Sequence, residues 1–183
     1  LDKSDIDEVV QSLNAPLITG GELVEKFEKK IKDYTKSKHA VCCSSGTAAL
    51  TLIFKALNVK KNSNILVPNI TFNATAAAAK QLGCNIHICD VNSKSGLITP
   101  KTFLDALSKL EVKIDILVLV YLNGNSVEID EIHEIASKNK IKIIADGCHA
   151  LGTLYKDKLI GGGNKVLATT FSFHPVKAIT TGE

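Results

Sequence analysis

The chain has 183 residues, of which 45% are hydrophobic and 22% charged, and it carries a formal net charge of +3. That balance describes a soluble globular domain large enough to bury a core, and it excludes a disordered or collagen-like chain. No run approaches the roughly 18 consecutive apolar residues of a spanning helix, the first residues lack the apolar core of a signal peptide, and so mild a positive charge announces no nucleic-acid surface.

All of the positive charge is lysine, so a bidentate guanidinium grip on phosphate or carboxylate must be replaced by something else. Methionine is missing, and the chain stops at Thr181-Gly182-Glu183 directly after a motif. Both features read as part of a longer protein. The five cysteines (Cys42, Cys43, Cys84, Cys89, Cys148) are odd in number and have no metal-like spacing. They are expected to be buried thiols in a reducing, cytoplasmic setting.

Ser4 to Leu13 carries Ile6, Val9, Val10 and Leu13 at helical spacing behind a serine cap. Pro16 and Gly20-Gly21 break the pattern, and a second helix is predicted from Glu22 to Thr35, with Leu23, Phe27, Ile31 and Tyr34 on one stripe. Residues 1–35 are therefore read as an N-terminal helical segment and 36–183 as the main domain. From there short apolar runs alternate with helices. Ala40–Cys43 is predicted as a strand before a helix over Ala48–Leu57, and Ile65–Val67 as a strand before a helix over Ala74–Leu82. Ile86–Cys89 precedes a helix from Pro100 to Leu110. Ile114–Val120 precedes one from Val127 to Asn139. Ile141–Ala145 and Val166–Phe171 are the last strands.

Strands that are apolar on both sides, separated by helices, predict crossover units. The expected fold is α/β, a three-layer sandwich around a mostly parallel mixed sheet. Ligands collect at the carboxyl ends of the strands in such sheets, which directs attention to Ser44–Thr47, Asn69–Phe72, Asp146–His149 and Ser172–Lys177.

Each of these has a plain structural reading and a chemical one. Ser44-Ser45-Gly46-Thr47 running into a helix is an ordinary N-cap, or an anion seat of free amides at the positive end of a dipole; it has neither the Walker ending nor the third glycine of a dinucleotide fingerprint. Asp146, directly after Ile143-Ile144-Ala145, is a turn cap or a carboxylate facing a cation. His149 is a structural histidine or a polar contact beside that carboxylate. Lys177, just beyond a buried strand, is a solvated loop lysine or an amine that desolvation strips of its proton and makes able to form Schiff bases. Taken together, a phosphate anchor, the aromatic face of Phe72, an acidic residue and a neutral lysine are what pyridoxal phosphate requires.

The same segments resemble a known family. Lys38-His39-Ala40-Val41, Ser44–Leu50, Val67-Pro68-Asn69-Ile70-Thr71-Phe72-Asn73-Ala74-Thr75-Ala76, Asp146–Gly152 and Phe171–Lys177 together resemble, in order along the chain, the DegT-type sugar-nucleotide aminotransferases. The resemblance implies the large domain of a fold-type I pyridoxal-phosphate enzyme, incomplete at its C-terminus, with a small domain to follow and a homodimer whose partner completes each site. It assigns the cofactor phosphate to Gly46, Thr47 and Ser172, the stacking aromatic to Phe72, the partner of the ring nitrogen to Asp146, a contact near the ring hydroxyl to His149 and the covalent linkage to Lys177. His149–Gly152, Ser172–His174 and Ile179–Thr181 are most similar to the pseudaminic acid branch, in which glutamate aminates C4 of a UDP-linked 4-keto-6-deoxy sugar. Leu122-Asn123-Gly124-Asn125 departs from the commoner family pattern. Dehydrating relatives carry histidine at the position of Lys177, and a non-catalytic relative on the same fold is expected to have lost Lys177 or Asp146.

Overall fold

The computed structural model describes residues 2–163 and 165–181. They form two compact units, Leu1–Cys42 and Cys43–Glu183.

In the first unit, α1 (Lys3–Leu13) starts on a capping box between Asp2 and Asp5, and α2 (Glu22–Thr35) ends where Lys36 turns left-handed at φ 59°. The apolar stripe expected along α1 is there, but Ile6, Val9, Val10 and Leu13 are exposed. The strand expected at Ala40–Cys43 is absent. The residues run without regular structure, Val41 is 81% exposed, and the Cys42 amide donates to the Glu28 carboxylate at 2.7 Å. An apolar run becomes a strand only where a neighbouring strand takes its backbone groups.

The second unit contains α3 (Gly46–Ala56), β1 (Asn64–Pro68), α4 (Ala74–Gln81), β2 (Asn85–Cys89), α5 (Pro100–Lys109), β3 (Ile116–Val120), α6 (Ile129–Lys138), β4 (Lys142–Asp146), β5 (Leu154–Tyr155), β6 (Lys158–Leu159) and β7 (Thr169–Thr170). Five strands form one sheet in the order β2-β1-β3-β4-β7, and every pairing in it is parallel. The antiparallel pairing belongs to the separate β5–β6 hairpin.

Side chains alternate across the strands and bury both faces. Ile65, Val67, Ile116, Val118 and Ile144 pack with Leu50 and Phe54 of α3 and with Ala74, Ala78 and Ala79 of α4. Leu66, Leu117, Leu119, Ile143 and Ala145 pack with Phe103 of α5 and with Ile132 and Ala136 of α6. The three layers follow from that alternation. Because all five strands run the same way, Pro68, Cys89, Val120, Asp146 and Thr170 end on one edge.

Two local features differ from expectation. The last strand is only Thr169–Thr170, although the Leu167 amide already bonds to the Ile143 carbonyl at 2.8 Å. The β5–β6 hairpin turns through Lys156 and Asp157, both at positive φ (46° and 63°), where a tight hairpin ordinarily uses Asn-Gly. Expected burial of the cysteines holds for Cys84 and Cys89, whereas Cys42 and Cys43 are exposed and Cys148 is half-buried. The first two lie outside any strand that could bury them. Among the described residues no helix is long and apolar enough to cross a membrane.

The hairpin is clamped to α6 by charge. Asp130 accepts from Lys156 at 2.7 Å and Lys165 at 2.6 Å, and these bonds, Lys156 first, hold its carboxyl down at about 2. A depressed carboxyl contributes stability that is complete above its ordinary value of 3.8 and is lost as pH falls toward 2. Protection of the amides in residues 154–159, measured against the intrinsic exchange rate at each pH from 5 downward, is expected to fall in that window. An Asp130→Asn variant is expected to exchange fast at every pH; equal profiles for the two proteins would contradict the clamp.

Candidate functional site

Ser45 caps α3 with its side-chain oxygen on the Ala48 amide at 3.1 Å. The helix therefore begins at Gly46, two residues earlier than the apolar pattern predicts. The Gly46 and Thr47 amides find no acceptor among the described residues, and they sit at the positive end of the helix dipole, where an anion is favoured. Gly46 has to be glycine. A Cβ there would lie 2.8 Å from Cys148 Sγ and 3.5 Å from Ser172 Cβ. That single close approach joins three segments: the start of α3, the turn after β4 and the loop after β7.

Asp146 ends β4 and is 6% exposed. Its Oδ2 accepts from the Thr75 hydroxyl at 2.8 Å and its Oδ1 from the Cys148 amide at 3.1 Å. Each carboxylate oxygen has two lone pairs, so acceptor capacity is left for a further donor. Cys148 lies between this carboxylate and Gly46. Burial first, and then the charge of Asp146, push its thiol up to about 12, which makes it a neutral packing group and not a nucleophile.

Phe72 precedes α4 and is 75% exposed, and its carbonyl accepts from the Thr75 amide at 3.1 Å. It therefore stands within one turn of the residue that touches Asp146. His149 is exposed and follows Asp146 by three residues. Its Nδ1 lies 3.3 Å from the Asn123 amide. An amide can only donate, so Nδ1 is the acceptor and the ring proton sits on Nε2. Asn123 adopts φ 53° to make that contact, and the unusual Leu122–Asn125 turn thereby orients His149.

The loop after β7 is tightly wound. The His174 amide donates to Ser172 Oγ at 3.4 Å, which leaves the hydroxyl proton of Ser172 free to donate elsewhere. The Lys177 amide closes a turn onto the His174 carbonyl at 2.9 Å. Lys177 is half-buried, and its charge acts on the Cys148 thiol, favouring the ionised form. Gly46, Ser172 and Asp146 are thus brought together directly around Cys148, Thr47 and Phe72 stand on the adjoining helix starts, and His149 and Lys177 border them on loops.

Thr75, Thr71, Cys148 and Asn123 are contacts that motif reading of the chain did not single out. Thr75 had one usable signal: it is the only polar residue in Ala74–Ala79, four positions after Thr71.

Across all 183 residues the chain is 40% identical to the UDP-4-amino-4,6-dideoxy-N-acetyl-beta-L-altrosamine transaminase of Campylobacter jejuni, of which it covers 48%. Among solved structures it is similar over its full length to Helicobacter pylori PseC, an aminotransferase involved in the biosynthesis of pseudoaminic acid, with 29% identity, a TM-score of 0.92 and 48% of that chain covered. Spr1654 from Streptococcus pneumoniae, assigned as a sugar aminotransferase and solved in a PLP form, is 28% identical with a TM-score of 0.90; again all of this chain and 49% of that one are covered. The chain spans about half the length of the curated relatives it matches. The family description DegT/DnrJ/EryC1/StrS aminotransferase fits residues 1–183 without interruption, and the chain belongs to that family.

Proposed function

We propose that the protein of which this chain is part is a pyridoxal-phosphate-dependent aminotransferase that moves the amino group of glutamate to C4 of a 4-keto-6-deoxy nucleotide sugar, supplying amino sugars for surface polysaccharide or glycan. The observation that carries this reading is the meeting of an anion seat and a buried carboxylate around Cys148: Gly46 and Ser172 on one side, Asp146 on the other. The identity to the altrosamine transaminase supports the choice of sugar.

The donor set fits the cofactor. When bound, pyridoxal phosphate supplies an aldehyde that accepts and returns an amino group and a ring that withdraws electrons from the reacting carbon. The Gly46 and Thr47 amides, the α3 dipole and the Ser172 hydroxyl bind the phosphate. Asp146 would hold a proton at the ring nitrogen, Phe72 would cover a ring face, and His149 would donate from Nε2 to the ring oxygen. Lys177 is the residue that would hold the group through Nζ, and its amine would serve as the acid and base beside the substrate carbon. The nucleotide, bound away from the reacting centre, orients the keto carbon.

A homodimer with shared sites is part of this proposal. Phe72 and Val176, on two of the loops that carry site residues, are 75% and 77% exposed and offer apolar surface to a second copy. A cytoplasmic setting is supported by Cys84 and Cys89, buried as thiols.

The test is turnover by the full-length protein with pyridoxal phosphate, glutamate and a panel of 4-keto sugar nucleotides. The expected products are 2-oxoglutarate and a 4-amino sugar in equal amounts. A dehydrated sugar, or no product from any member of the panel, would overturn the assignment.

A further inference from the structure

We propose that Thr75, backed by Thr71, is the positioning residue that orients the Asp146 carboxylate toward the cofactor's ring nitrogen. The inference rests on the cofactor reading above and adds to it two residues outside the cofactor contacts.

The geometry fixes the direction of every proton. Thr75 is wholly buried, and its Oγ1 lies 2.8 Å from Asp146 Oδ2. An ionised carboxylate only accepts, so the single hydroxyl proton of Thr75 is committed to Asp146. Thr71 Oγ1 lies 2.7 Å from Thr75 Oγ1. With the Thr75 proton already used, Thr71 must be the donor in that contact. The result is a one-way chain, Thr71 to Thr75 to Asp146, in which each hydroxyl polarises the next and strengthens the bond on the carboxylate. Thr75 lies in the first turn of α4 and Thr71 in the bend that leads into that helix, four positions earlier, so the approach of the two hydroxyls is made by the local turn of the chain.

Asp146 needs such support. A nearly buried carboxylate is costly unless charged hydrogen bonds replace its water, and Asp146 draws them from the Thr75 hydroxyl, the Cys148 amide and the Cys148 thiol. The amide bond is made within the turn after β4 and holds Oδ1. The Thr75 bond comes from the opposite side of the sequence, 71 residues away, and holds Oδ2. Together they pin both oxygens and prevent rotation of the carboxylate. Removing the Thr75 hydroxyl would free Oδ2 to turn, and the carboxylate would then hold a proton at the ring nitrogen less firmly.

The test uses the full-length protein as Thr75→Val and Thr75→Ser, with pyridoxal phosphate carrying ¹⁵N in its ring. Two quantities are read: the affinity of the apoprotein for pyridoxal phosphate, and the ¹⁵N shift of the bound ring at fixed pH. Thr75→Val, which keeps shape and loses the hydroxyl, is expected to bind about tenfold more weakly, the scale of a hydrogen bond to a charged group. Its ¹⁵N resonance is expected to move toward the unprotonated value. Thr75→Ser is expected to restore both, which a purely structural role of the methyl group would not allow. Wild-type affinity and shift in Thr75→Val would overturn the inference while leaving the cofactor reading intact. If Thr75→Val does not accumulate folded, Thr71→Val is expected to show the same ¹⁵N displacement at smaller amplitude, and no displacement there would overturn it equally. Failure of the wild-type protein to bind pyridoxal phosphate would sink the cofactor reading and this inference together.

Discussion

Lys177→Ala is expected to abolish covalent retention of the cofactor and to lower turnover of the full-length protein by roughly 10³-fold or more, the scale of a lost nucleophile that also serves as general acid and base. The fold survives the change. Lys177 is half-buried on a loop held by its own backbone, through the turn onto the His174 carbonyl and the Thr181 amide bonded to the Phe173 carbonyl at 3.0 Å. Among the described residues no side-chain hydrogen bond of Lys177 ties one structural element to another, so truncation is expected to remove chemistry and little packing. The check is turnover and the thermal unfolding midpoint, measured together. An unchanged midpoint with turnover lost is the expected result, and added small primary amines should return part of the activity. Full activity in Lys177→Ala would refute the role outright.

Asp146→Asn is the second large effect, and it separates charge from shape. Asparagine keeps the volume and one carbonyl oxygen, which can go on accepting from the Cys148 amide. Its NH₂ then faces Thr75, whose hydroxyl must reverse and donate to Thr71 instead; the pair allows this, since either oxygen can serve as donor. The side chain is accommodated, and the loss of stability stays within the ~1–3 kcal/mol of one disturbed buried hydrogen bond. The negative charge proposed to hold a proton at the ring nitrogen is gone, however. Removal of one preorganised electrostatic group lowers kcat by about 10²- to 10³-fold. Steady-state kinetics beside a thermal melt reads both numbers. An Asp146→Asn protein as active as the wild type would show that the carboxylate's charge has no part in the reaction.

Much of the architecture was legible in the chain, and the reason is periodicity. Ile65–Val67, Ile116–Val120 and Ile143–Ala145 are apolar without alternation because both faces of the sheet are covered, and that pattern distinguishes a buried parallel strand from an exposed one. Asp146 was legible for the complementary reason: a carboxylate that follows such a run directly cannot escape the sheet edge. Ala40–Cys43 misled because apolar character records what a segment could bury and not whether a strand lies beside it. The β5–β6 hairpin was missed because Lys156 and Asp157 adopt positive φ without the glycine or asparagine that marks such turns. Its hold comes instead from Asp130, more than twenty residues away in sequence.

The site shows the same division. Residues at strand ends and helix starts could be found from local pattern, since the parallel sheet delivers them to one edge. The contacts that organise them could not. Thr75 on Asp146, Cys148 against Gly46 and Asn123 on His149 are all made across long stretches of chain by a threonine, a cysteine and an asparagine in otherwise ordinary surroundings. Such contacts depend on the packed layers being in place first.

The most direct measurement is to load the full-length protein with pyridoxal phosphate, reduce it with borohydride, digest it and locate the added mass by mass spectrometry. Among the 22 lysines of this chain, the label is expected on the peptide that carries Lys177 and on no other. A label on a different lysine, or an unmodified Lys177 in protein that has retained the cofactor, would contradict the assignment on which the chemistry depends.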